Sequence, residues 1–151
     1  MTKQTSANQY QELVLPGVVY FGVGLVIGAA IGLIALPFGN FWGLAFFTLT
    51  IVGWFTAGIL SSKRIRISSE TLIVGPANIP RNLLGVAVSI PKQETTLEQG
   101  RKLNALSFVS FQFGVSTLVK VELRDPSDKT PYWLFATRQP ELVAEILNRS
   151  N

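Results

Sequence analysis

The chain has no cysteine and no histidine. Without thiols there is no disulfide, no Cys-ligated zinc and no thiol nucleophile. Without imidazole the commonest general base, metal ligand and pH switch are missing. A Ser-His-Asp or Cys-His site cannot be assembled from this chain alone. Charge is scarce as well. Only 15% of the 151 residues are Asp, Glu, Lys or Arg, against roughly 25% in an ordinary soluble domain. None of the four occurs in residues 13–62, a run longer than the roughly 20 residues of one membrane span.

That run divides into two apolar stretches around "PFGN" at Pro37 to Asn40. Spans are expected at about 14–36 and 41–60, each long enough for a hydrocarbon core of about 30 Å. In lipid the backbone must satisfy itself, so both read as helices, and the short connection makes them an antiparallel hairpin. A cleaved signal peptide fits poorly, because the first apolar run exceeds the 7–15 residues of a signal core. Lys63, Arg64 and Arg66 follow the second stretch, Lys3 precedes the first, and the loop between has no basic residue. The excess of positive charge on one side places both termini in the cytoplasm. Phe41, Trp42, Trp54 and Tyr10 are candidate aromatic anchors. The three basic residues stop the second span. They also suit anionic headgroups of the inner leaflet, together with Arg81, Arg101 and Lys102. The pI of about 9.7 fits nucleic acid only weakly, since the net charge is +4 and gathers beside the spans.

Gly24, Gly28 and Gly32 repeat every four residues, and Gly53 and Ala57 form a shorter ridge. Small residues let helices approach closely in lipid. The ridges serve either packing of the two spans on each other or docking of a second copy or a partner protein. Neither span carries an ionisable residue, which argues against a pump or transporter.

The remaining residues have ordinary charge density. "RIRIS" and "TLIVG" read as strands joined by a turn at "SSET", Pro76 and Pro80 bracket a loop, and Leu83 to Ile90 is a third strand. "TTLEQGRKLNAL" reads as a helix, with capping-box spacing at Thr95 and Glu98 and a favourable pair of Glu98 with Lys102. "SFVSFQFGV" places Val109, Phe111, Phe113 and Val115 on one strand face. "TLVKVELRD" turns Val119, Val121 and Leu123 inward. "YWLFATR" is the last strand, and Pro140 opens a helix with Leu142, Val143, Ile146 and Leu147 as its apolar stripe. The fold class is thus an α+β membrane protein: a cytoplasmic tail over 1–12, a transmembrane hairpin over 13–62, and a cytoplasmic domain over 63–151. The order of elements in the last part is that of a small antiparallel pleckstrin-homology-like barrel with a C-terminal helix.

The candidate binding residues lie in "DPSDKTPYWLFATRQPE". Asp125 and Asp128 suit a hairpin turn by bonding their own backbone, and the loop offers too few oxygens for Ca²⁺. Tyr132 and Trp133 alternate across the strand, so one is expected in the core and the other at an interface or on the membrane surface. Arg138 pairs with Asp125 or a helix end, or receives a phosphate. No metal and no cofactor is implied. Two spans, the basic strand after them, Ile79-Pro80, and above all Asp125, Pro126, Asp128, Thr130 to Trp133, Thr137, Arg138 and Pro140 make the chain resemble a family of small membrane proteins of unknown function from high-GC Gram-positive bacteria. The resemblance implies a membrane location and a pleckstrin-homology-like cytoplasmic domain, and carries over no catalytic residue. Two functions stay open: a membrane-anchored interaction or scaffold module, or an enzyme or accessory subunit of lipid and cell-envelope metabolism.

Overall fold

A computed structural model describes residues 8–149. They form an α+β protein of two compact units. Lys3 lies outside the described residues.

The helical unit holds residues 15–62 together with 112–114. Helix α1 runs over Val18–Ala35 and α2 over Asn40–Leu60, joined by a tight turn at Leu36–Phe38 and Gly39. Both helices are long and apolar enough to cross a membrane. The Gly24, Gly28, Gly32 ridge is buried against α2. A Cβ on Gly28 would sit 2.8 Å from Ile51 Cδ1, and one on Gly32 would sit 3.0 Å from Phe47 Cβ and 3.1 Å from the Gly43 carbonyl oxygen. Gly24 lies under the Trp54 indole. Trp54 Nε1 donates to the Tyr20 carbonyl at 3.0 Å, and the Tyr20 hydroxyl donates to the Trp54 carbonyl at 3.2 Å. Trp54 therefore links the two helices through its indole N–H and its carbonyl. The expected second ridge is not a packing ridge. A Cβ on Gly53 would meet nothing within 4 Å, and Ala57 is exposed; α2 residues that do meet α1 include Phe47, Ile51, Trp54, Phe55 and Gly58.

The strand-rich unit starts earlier than the sequence suggests. Residues 8–12, read as part of a tail, belong to strand β1, Asn8–Val14. It pairs antiparallel with β2, Lys63–Ser68, from Val14↔Lys63 to Asn8↔Ser68. Tyr10 and Val14 lie on the core side, and the intervening polar residues hide the alternation. Strand β3, Thr71–Val74, and β4, Ala77–Pro80, complete a four-stranded sheet in the order β1-β2-β3-β4. The segment between Pro76 and Pro80 is thus a strand and not a loop. It tolerates proline because it is an edge strand, and Gly75 (φ +58°) with Pro76 makes its two-residue turn.

The second sheet has the order β5-β7-β8-β6, from β5 (Leu84–Ile90), β6 (Phe108–Ser110), β7 (Leu118–Leu123) and β8 (Tyr132–Ala136). It is not purely antiparallel: β6 runs parallel to β8. Strand β6 is also shorter than the pattern of "SFVSFQFGV" implies, because residues 112–114 turn away to the start of α1. Helix α3, Lys92–Gln99, starts before Thr95. The expected capping box is absent, and the Thr95 hydroxyl donates to the Ser116 carbonyl. Helix α4 covers Pro140–Asn148. One core takes Ile65, Ile67, Leu72 and Val74 from the first sheet, Val119, Val121, Trp133 and Phe135 from the second, and Val143 and Leu147 from α4. A smaller core of Ile90, Leu118, Tyr132, Leu134 and Ala136 covers the other face of the second sheet.

Candidate functional site

The hairpin between β7 and β8 is held by its own carboxylates. Asp125 Oδ1 accepts from the Ser127 backbone N–H at 2.9 Å and from the Ser127 hydroxyl at 2.6 Å. These bonds hold the Asp125 carboxyl below the usual carboxylate range. Asp128 Oδ1 accepts from the Thr130 N–H at 2.9 Å. Both aspartates are committed to shaping the turn. Among the described residues no group of three or more acidic side chains could hold a metal.

The aromatic pair differs from its expected division of labour. Tyr132 and Trp133 do face opposite sides of β8, yet both are buried, because both faces of that sheet are covered. Trp133 packs on Phe108 with ring centroids 4.6 Å apart. The Tyr132 hydroxyl donates to the Lys102 carbonyl at 3.1 Å and accepts from the Asn104 N–H at 2.8 Å. Neither ring is a surface contact. Arg138 lies beyond the other end of the five-residue strand from Asp128, about 17–20 Å away at the rise of a strand. The structure does not bring the hairpin carboxylates and Arg138 into one site.

Arg138 is instead organised by a residue that reads, in the sequence, as part of the tail. Glu12 Oε1 accepts the Arg138 backbone N–H at 2.9 Å. Glu12 Oε2 accepts the hydroxyls of Tyr10, at 2.9 Å, and of the fully buried Thr137. The Gln139 N–H reaches Thr137 Oγ1 at 3.2 Å. A carboxylate on β1 thus orders the chain immediately before α4, where helix N–H groups favour negative charge. Burial, and then the Glu12 bond and charge, push the Tyr10 phenol up to about 12. Tyr10 is therefore an internal donor rather than a membrane anchor. Sequence reasoning misses Glu12 because its partner lies 126 positions away.

Two further polar clusters form, one hidden in the sequence and one foreshadowed there only by the Glu98–Lys102 pair. Arg81, which groups there with surface basic residues, is buried. Its Nη1 donates to Gln9 Oε1 at 2.9 Å and to the Ser68 carbonyl at 3.0 Å. Its Nη2 donates to the Ile146 and Leu147 carbonyls at 2.6 and 3.2 Å. It caps the C-terminus of α4, where cations are favoured, and burial lowers its pKa. Buried Glu98 binds Lys102 at 3.1 Å and Lys120 at 3.0 Å, and Lys120 Nζ lies 4.3 Å from the Tyr132 ring centroid. Burial pushes the Glu98 carboxyl up, but hydrogen bonds and charge from Lys120 and Lys102 outweigh it and leave the pKa below the usual range.

The membrane-surface candidates occupy the start of β2. Arg64 is exposed, while Lys63 and Arg66 are half-buried. Arg66 Nε is itself buried without a hydrogen-bond partner among the described residues. Only Ser61 and Ser62 separate α2 from Lys63, and only residues 15–17 separate Val14 from α1.

Residues 9–147 match the family described as "Protein of unknown function (DUF3093)". No curated protein and no solved structure matches the chain.

Proposed function

We propose, for a chain that belongs to this family of unknown function, a membrane-anchored interaction module without catalysis. In this reading α1 and α2 cross the cell membrane as an antiparallel hairpin. Both termini and the strand-rich unit are cytoplasmic. Lys63, Arg64 and Arg66 meet anionic headgroups of the inner leaflet. The strand-rich unit is a pleckstrin-homology-like domain, a reading supported by two sheets over one core and a C-terminal helix against it.

The observation that carries the proposal is the way the uncharged hairpin is set between two paired strands. Val14 and Lys63 are cross-strand partners, and each is two or three residues from a helix apolar enough to cross a membrane. Two or three extended residues reach about 7–11 Å. The paired ends of β1 and β2, with the basic residues on β2, are thereby tied to the bilayer surface by covalent reach. Three basic residues there contribute about 1 kcal/mol each toward anionic lipid. The buried aromatics and the committed aspartates favour a binding role over an enzyme built on Asp125, Asp128 and Arg138.

The test is lipid retention. The full-length protein purified from native membranes is compared with a Lys63→Gln/Arg64→Gln/Arg66→Gln variant, and co-purified lipids are quantified by mass spectrometry. A Lys129→Cys label in both confirms unchanged orientation. The expected result is a several-fold loss of anionic lipid in the variant. Equal anionic lipid in both proteins removes the headgroup reading. Self-association through Gly24, Gly28 and Gly32 would have to displace Trp54, Ile51 and Phe47, so the same preparations are expected to be monomeric by native mass spectrometry.

A further inference from the structure

The stretch "SFVSFQFGV" has the alternation of a continuous strand, yet it stops pairing after Ser110. Residues 112–114 belong to the helical unit instead. The Gly17 N–H donates to the Phe113 carbonyl at 2.8 Å. The Phe113 ring lies edge-on to Tyr20, with centroids 5.8 Å apart. Two glycines make this approach possible. A Cβ on Gly17 would stand 2.5 Å from the Gly114 carbonyl oxygen, and one on Gly114 (φ +74°) would stand 2.8 Å from Gly17 Cα.

The purpose of this detour is not burial of the aromatic, because Phe113 remains 59% exposed. Val18 and Val19, which follow Gly17 on the first turn of α1, are 87% and 67% exposed. An exposed aromatic and two exposed valines at the first turn of an apolar helix form an apolar rim. A helix that spans a bilayer has its first turn at the headgroup level, where aromatic rings are favoured. The hydrogen bond to Gly17 fixes Phe113 at that depth.

We propose that residues 112–114 form a membrane-interface anchor, with the Phe113 ring inserted between the headgroups and the upper acyl chains beside the start of α1. The proposal rests on the reading of α1 as a span, and adds a contact with lipid that is remote in sequence from both helices. The occupant is lipid rather than protein because the loop is tied by its backbone to the helix that enters the bilayer.

The absence of cysteine makes site-specific labelling direct. Single-cysteine variants Phe113→Cys, Val26→Cys and Lys129→Cys of the full-length protein carry an environment-sensitive dye in nanodiscs. Quenching is read with shallow and deep spin-labelled lipids and with aqueous iodide. A 4-fluorophenylalanine at position 113, an almost isosteric change, repeats the measurement by fluorine relaxation. The expected result is several-fold stronger quenching by shallow lipid at 113 than at 129, with deep-lipid quenching at 26. Quenching at 26 by deep lipid, with 113 reached only by iodide as 129 is, overturns the anchor and leaves the span intact. Iodide quenching at 26 overturns the span, and the anchor with it.

Discussion

Arg81 brings a charge into the interior, and its partners among the described residues are the oxygens of neutral groups: one glutamine side chain and three backbone carbonyls. Five donors in a fixed fork suit this task, which a lysine ammonium cannot reproduce. Arg81→Ala is expected to destabilise the full-length protein in micelles by about 2–3 kcal/mol, read by chemical denaturation, with Arg81→Lys recovering little of it. Glu98 offers a pH test. Its folded pKa is lowered, so its contribution is fully present above the ordinary value of 4.5 and is lost as pH falls through the folded value. Melting temperatures of wild type and Glu98→Gln are expected to converge on acidification below about pH 4.5; parallel curves would deny the carboxylate this role. At this scale little was legible. Arg81 beside Pro80 reads like any loop arginine, and Glu12 reads like the last charge before an apolar run. Burial of a charge depends on what packs over it, which local sequence does not encode.

Among the elements, the helical hairpin was the most legible, since length and the absence of charge suffice to define it. Which small residues face the partner helix was legible only for α1. On the facing helix, Gly53 and Ala57 have the right spacing and the wrong phase. Gly28→Leu is expected to cost about 1–3 kcal/mol through overpacking on Ile51. Gly53→Leu is expected to stay within about 0.5 kcal/mol, because a side chain there enters open space. A graded unfolding titration in mixed micelles separates the two. Among the strands, proline hid β4, and β8 lost its polar alternation because a core covers each face. Strand β6 has a pattern longer than its pairing, since the first turn of α1 takes up residues 112–114. For β8 and β6 a neighbour distant in sequence decides the outcome, whereas β4 pairs with the adjacent β3 across a two-residue turn.

For the whole molecule, the domain boundary drawn at Lys63 omits a strand. A fragment starting there lacks β1, and with it Val14 over the core, Gln9 on Arg81 and the Glu12 carboxylate before α4. Because Val14 and Lys63 are partners, replacing residues 15–62 by Asn-Gly would close β1 and β2 as an ordinary two-residue hairpin. That shortened chain is expected to be folded, with dispersed amide NMR signals. A chain beginning at Lys63 is expected to be aggregated or partly unfolded. Equal spectra from both would make β1 dispensable.

The placement of β1 also sets an order of events at the ribosome. The strand is synthesised first, but its partner emerges only after the whole hairpin has been made. Until residues 63–68 have emerged β1 has no neighbour, whereas β2, β3 and β4 need only one another to pair. On the proposed reading of α1 and α2 as spans, β1 closes its sheet only after both spans have been made.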